Sequence, residues 1–189
     1  MAAGQALRIL VTGAAGAGTS TLAAALAQRL AGTAVEADDL FWLPTDPPYR
    51  DKRPAEARHA LAREALARAG TLVVAGSVMG WGREVEDAFD LIVFLHVPTP
   101  VRLERLRARE TARFGRVDEA FLKWAGDYDI GPPEGRSLAR HIAWMDERGA
   151  DKVTLAGRQT VDQGVARAIQ ALGSRPPNPT APTSATRRG

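Results

Sequence analysis

The stretch Leu7–Thr21, LRILVTGAAGAGTST, decides the fold. Its first half, Leu7 to Thr12, is a short apolar run ending at glycine, the pattern of a strand buried on both faces of a parallel sheet. Its second half is rich in glycine, and Thr19 to Leu30 then carries Leu22, Leu26 and Leu30 at helical spacing. In such a strand, loop and helix, consecutive backbone N–H groups can close around a phosphate. Gly13, Gly16 and Gly18 allow backbone conformations closed to other residues, and the helix adds its positive N-terminal end. The segment GAAGAGTST, covering Gly13, Ala14, Ala15, Gly16, Ala17, Gly18, Thr19, Ser20 and Thr21, fits G-x-x-x-x-G-K-[ST] except at the lysine, where Thr19 stands. Ser20 holds the hydroxyl position that would ligate Mg²⁺. The dinucleotide fingerprint G-x-G-x-x-G fails, because Thr21 occupies its third small position. Losing the lysine removes one charged hydrogen bond to phosphate, worth about 1.5–3 kcal/mol, which one well-placed arginine could replace. The plainer alternative is a glycine turn that binds nothing.

Working outward, Thr33 to Ala37 reads as a second strand, followed by Asp38, Asp39 and the proline-rich loop LFWLPTDPPYR, which carries Phe41 and Trp42. Pro54 to Ala69 reads as a helix ended by Gly70, and Thr71 to Ala75 as a third strand. Leu91 to Val97 is the strongest strand of the chain and Pro98 closes it. Thr99 is the expected N-cap of an arginine-rich helix with Pro100 at its first position. Two further helices, Asp118 to Tyr128 and Ser137 to Arg148, are separated by the breaker GPPEG. Lys152 to Ala156 is the last strand, and Thr160 with Gln163 forms a capping box opening the last helix. From Gly173 onward, Pro, Ser, Thr and Arg predominate, the composition of a disordered tail. Five strands alternating with helices imply an α/β domain over residues 1–172, with an open, mainly parallel sheet covered on both faces and a tail over 173–189. Ligands in such sheets bind at the carboxyl ends of the strands.

Apolar residues make up 45% of the 189 and charged residues 25%, ordinary values for a chain that buries a core. With no cysteine and three scattered histidines, disulfides and thiolate metal sites are excluded. The net charge of +3, from 25 basic and 22 acidic residues, does not argue for specific nucleic-acid binding. No apolar run approaches a membrane span, so a cytoplasmic protein is expected.

GAAGAGTST, DDLFWLPTDPPYR, VVAGSVMGWG and FDLIVFLHVPTPVRLERLRARE together resemble the small P-loop kinases related to adenylate kinase and shikimate kinase, across most of Leu7 to Leu172. More narrowly the chain resembles a group described as adenylate kinase-related kinases or small ATPases, whose loop reads GTST instead of GKST. The resemblance implies the P-loop NTPase fold with a helical lid, over about 109–148, and an ATP- and Mg²⁺-dependent phosphotransferase acting on a small metabolite or nucleotide. The third strand ends in Ala75, Gly76 and Ser77 without the aspartate usual for metal ligation. A nucleotide-binding regulatory protein without transfer activity, and a nucleic-acid-associated NTPase, are the alternatives.

The resemblance also implies roles for residues beyond the loop. A carboxylate at the end of the second strand holds Mg²⁺ through water or accepts a proton from the acceptor hydroxyl, which assigns Asp39 to the acceptor and Asp38 to the metal shell. A simple turn cap is the alternative for the pair. Ser77 belongs to a loop like the acceptor-binding glycine loop of shikimate kinases, with Trp42 and Trp81 as walls of the acceptor pocket or as ordinary packing. Arg109 is placed at the start of the lid and Arg113 and Arg116 within it, where they would neutralise the transferred phosphoryl group. A solvated basic helix is the alternative for these arginines. Arg158, in the loop after the last strand, would stack on the base.

Overall fold

The computed structural model describes residues 6–131 and 136–174. Five strands, β1 (Arg8–Gly13), β2 (Thr33–Glu36), β3 (Leu72–Ala75), β4 (Leu91–His96) and β5 (Asp151–Ala156), form one sheet in the order β2-β3-β1-β4-β5. Every pairing is parallel. Among the described residues eight α-helices connect and flank them, α1 (Thr19–Arg29), α2 (Ala37–Phe41), α3 (Ala55–Ala67), α4 (Arg83–Glu86), α5 (Thr99–Phe114), α6 (Glu119–Gly126), α7 (Leu138–Asp146) and α8 (Val161–Gly173), with one 3-10 turn at Asp127–Asp129.

Alternation along the strands divides the core into two layers. Ile9, Val11, Leu91, Val93 and Leu95 pack under α1 and α8, while Leu10, Ile92 and Phe94 face α3 and α7 on the opposite side. Both faces of β1 and β4 are therefore apolar, which is why those runs lack a polar alternation. Chain order places β2 and β3 on one side of β1 and then crosses to β4 and β5 on the other. The end of β1 thus opens onto the crevice where such sheets bind ligands. The edge strand β5 begins with the exposed charged pair Asp151 and Lys152 and buries Leu155, and charge on an edge discourages pairing with another chain.

Local structure departs from the sequence expectation where tertiary contacts compete with local signals. Asp38 and Asp39 lie in the first turn of the short helix α2 rather than in an open loop, the end of a helix that favours negative charge. Pro98, not Thr99, occupies the N-cap of α5. The Thr99 hydroxyl is drawn instead into contact with Asp129 and accepts from Arg102 Nη2 at 2.6 Å. The capping box of α8 is present with both of its hydrogen bonds, and that helix runs through Gly173. The segment read as a lid is not one projecting unit. Leu122 and Ala125 of α6 pack with Leu106, whereas Trp144 and Met145 of α7 belong to the core against the sheet. Most of the breaker between these helices, and the tail from residue 175, lie outside the described residues.

Candidate nucleotide and acceptor site

The loop after β1 is built as a cradle. Gly18 sits in the left-handed region at φ 97° as the N-cap of α1, no side chain caps that helix, and no acidic residue stands in its first turn. The orphan N–H groups of the helix start are therefore left for an anion. The loop glycines differ in what surrounds them. A Cβ on Gly16 would lie 2.7 Å from the Arg102 carbonyl, and one on Gly13 would lie 2.6 Å from the Leu95 carbonyl, so both are needed for close backbone packing. A Cβ on Gly18 would meet only an Arg105 guanidinium nitrogen at 3.8 Å and would otherwise project into open space, where a phosphate would approach.

Three arginines hold the outside of this loop. Arg136 Nη2 donates to the Gly13 carbonyl at 2.7 Å, Arg102 Nη1 to Ala15 at 3.3 Å and Arg105 Nη1 to Ala17 at 3.3 Å. Arg102 is fully buried, and also donates to the carbonyls of Val97 at 3.0 Å and Ala125 at 2.9 Å while facing Asp129 at 3.5 Å. It ties the loop to α6.

At the end of β2 the acids are arranged differently from the sequence expectation. Glu36, which carried no signal beyond its place as a strand residue, accepts a hydrogen bond from the Ser20 hydroxyl at 3.0 Å. Partial burial raises its pKa above the usual carboxylate value, and repulsion from Asp38 and Asp39 adds to the rise. Asp38, assigned to the metal shell from the sequence, is instead the carboxylate within electrostatic reach of Arg136 and Arg109. Its pKa is also raised, chiefly by desolvation, with those two cations opposing. The Asp39 backbone carbonyl takes a long contact from Arg53 at 3.4 Å. The start of α2 thus leaves Asp38 within electrostatic reach of the arginines and Glu36 beside Ser20.

Beneath this crevice His141 is fully buried, 3.0 Å from the Thr12 hydroxyl and 2.8 Å from the Tyr128 hydroxyl. Desolvation, with Arg136 adding repulsion, pulls its pKa down to about 3, while burial pushes Tyr128 up to about 12. Both groups stay neutral and serve the packing between β1 and α7.

The remaining sequence candidates scatter. Arg109 pairs with Glu110 at 3.0 Å, and Arg113 donates to the Tyr49 hydroxyl at 3.3 Å on the proline-rich loop. Arg116 is exposed. Trp81 is 3% exposed and stacked with Phe41, so it packs the core rather than walling an open pocket. Trp42 is fixed by an antiparallel bridge to Lys52 and an edge contact with Phe41. The Ser77 hydroxyl takes only a long contact from the Met79 N–H at 3.5 Å. Arg158 is 72% exposed and leans toward Glu104 at 3.9 Å. The cleft beside the loop is lined instead by Gly18, Thr21, Arg105, Gly157, Gln159 and Thr160, so Arg105 and Gln159 flank the place that Arg158 was expected to cover.

The all-parallel sheet and the uncapped glycine loop at the end of β1 give the chain a P-loop NTPase fold. The AAA_18 family, described as an AAA domain, matches residues 9–120, and the chain belongs to that family. It is 36% identical over 176 residues to the uncharacterized protein YqaC of Bacillus subtilis (strain 168), covering 88% of this chain and 97% of that one. Among solved structures, shikimate kinase from Bacteroides thetaiotaomicron aligns with a TM-score of 0.57 at 18% identity, over 88% of this chain and 98% of its own. A gluconokinase from Sinorhizobium meliloti 1021 gives 0.55 at 19% identity over 88% and 91%, and deoxyadenosine kinase from M. mycoides gives 0.56 at 12% over 89% and 100%. At those identities the likeness establishes the fold. Among the described residues, no helix is long and apolar enough to cross a membrane.

Proposed function

We propose that the chain is an ATP-dependent phosphotransferase whose acceptor is a small hydroxyl- or phosphate-bearing metabolite or nucleotide. The observation that carries this reading is the juxtaposition of an uncapped phosphate cradle with a desolvated carboxylate, Asp38, that has Arg136 and Arg109 within reach. The triphosphate lies along the N–H groups of Gly13 to Thr21, and the base occupies the cleft beside Gln159. Asp38 accepts the proton of the acceptor hydroxyl as its oxygen bonds to the terminal phosphorus and the bond to the nucleoside diphosphate breaks. A raised pKa brings Asp38 closer to the operating pH and improves it as a base. Arg109 and Arg136 neutralise the charge that develops on the transferred group.

The residues fit a magnesium ion in the usual manner of such sites. No cluster of three or more His, Asp or Glu that could hold a metal stands among the described residues, so an all-protein cage is absent from them. Yet Ser20 and Glu36 are hydrogen-bonded beside the cradle, with Asp38 and Asp39 nearby raising the cost of the Glu36 negative charge. Mg²⁺ commonly takes one or two protein oxygens and fills its shell with water and phosphate. Ser20, with Glu36 acting through water, would hold it, and it would supply charge neutralisation of the phosphates. A regulatory protein without transfer activity is the less favoured reading, since the acid–arginine pair would then have no task.

Thermal denaturation with Mg-ATP tests the binding step. At 100 times Kd a ligand adds about 2.7 kcal/mol, which raises Tm by roughly 5–10 °C at this size. A flat response to ATP, ADP and GTP would sink the reading, and a screen of acceptors with labelled ATP tests transfer.

A further inference from the structure

The loop lacks the lysine that would reach the phosphates, and the fold presents a specific substitute. The planar trans peptide sets each carbonyl opposite the next residue's N–H. Arginines drawn onto the carbonyls of Gly13, Ala15 and Ala17 therefore turn the N–H groups of Ala14, Gly16 and Gly18 to the other side, into the loop. Two of the three are committed elsewhere. Arg102 is buried with hydrogen bonds to four partners, and Arg136 is engaged on the acceptor side, within electrostatic reach of Asp38.

Arg105 differs from both, and from its neighbours on α5. Arg107 pairs with Glu119 at 3.0 Å and Arg109 with Glu110, as residues of a solvated basic helix do. Arg105 has no carboxylate partner among the described residues, and its one hydrogen bond is to the Ala17 carbonyl. That bond anchors the guanidinium in the lining of the cleft, its Nη1 3.8 Å from where a Cβ on Gly18 would stand, and its other donors take no hydrogen bond among the described residues.

Resting on the nucleotide reading above, we propose that Arg105 takes the place of the absent lysine as the phosphate-binding cation of this loop. Its position one helix away, instead of within the loop, makes the charge a contribution of α5. Arg105 rather than Arg109 or Arg113 is then the residue that makes a GTST loop competent.

Isothermal titration with ATP and with adenosine, on the wild type, Arg105→Ala, Arg105→Gln, Thr19→Lys and the double variant Arg105→Ala/Thr19→Lys, tests this. The glutamine variant keeps a donor for Ala17 without the charge. Both Arg105 variants should weaken ATP about 10- to 100-fold, the worth of one charged hydrogen bond, and leave adenosine within about twofold. Thr19→Lys should change ATP affinity less than about threefold alone and restore most of the loss in the double variant, the non-additivity of two groups serving one task. The inference is overturned if Arg105→Ala leaves ATP unchanged, or weakens adenosine equally and so marks a contact with the base. It is also overturned if Thr19→Lys tightens ATP tenfold or more in the wild type, which would mean the charge is missing and not replaced. Failure of the wild type to bind ATP at all would strike the nucleotide reading itself, and this inference with it.

Discussion

The loop glycines show how far a single residue type can differ in its task. Gly16 and Gly18 both have positive φ, but only Gly16 is pressed against α5. Gly16→Ala should therefore destabilise the fold by roughly 2–5 kcal/mol, through backbone strain and overpacking, in urea denaturation. Gly18→Ala should cost only about 1–2 kcal/mol and yet abolish the ATP-dependent thermal shift. Comparable stability losses in the two would contradict this division. The acids separate similarly. Asp38→Asn should lower kcat by at least about 100-fold, as expected for loss of a general base, whereas Asp39→Asn should leave kcat within a few-fold. Glu36 has a raised pKa in the folded chain, so the stability linked to its proton is present at low pH and lost as pH rises through that pKa. Glu36→Gln should then raise Tm near neutrality, with a gain that shrinks on acidification, and should weaken the Mg²⁺ dependence of binding. A lowered Tm at neutral pH would refute the assignment. Glu36 and Arg136 were not singled out from the sequence, and Arg105 stood there only as one of several arginines of the helix after β4, since their contacts are with partners 16, 123 and 88 residues away.

At the scale of elements, what was legible was local. The capping box of α8 and the apolar runs of β1 and β4 follow from neighbouring residues, and they formed as read. Helix α2 escaped notice because five residues are too few for a periodicity. The cap of α5 was misplaced because Thr99 is claimed by Arg102 and Asp129, a contest that no local pattern records. The junction of α7 with β1 carries its own prediction. Neutral His141 has a folded pKa of about 3 against about 6.5 when unfolded, so the unfolded chain binds the extra proton in between. The stability it protects is complete above pH 6.5 and lost as pH falls, by roughly 2 kcal/mol between pH 6.5 and 5. Urea unfolding at pH 7 and 5 should show a smaller acid loss in His141→Asn than in the wild type; equal losses would mean the ring is not buried neutral.

For the whole molecule, strand count and parallel class could be read from the alternation of apolar runs with helices. The order β2-β3-β1-β4-β5 could not, because pairing is decided between segments far apart in the chain. The glycine loop was legible because it is contiguous, and the acid–arginine grouping proposed as the acceptor side was not, because the fold assembles it from β2, α2 and the approach to α7. That assembly makes one lasting connection. Arg102 grips the Ala15 carbonyl with one hand of a fork whose same nitrogen reaches Ala125, and Trp124, 48% exposed and stacked on Phe121, is the adjacent residue. An indole so placed is a built-in optical probe. Its emission wavelength and quenching by iodide should respond when the loop closes on a nucleotide, and Trp124→Phe should silence the signal, so occupancy can be followed by light in the unlabelled chain.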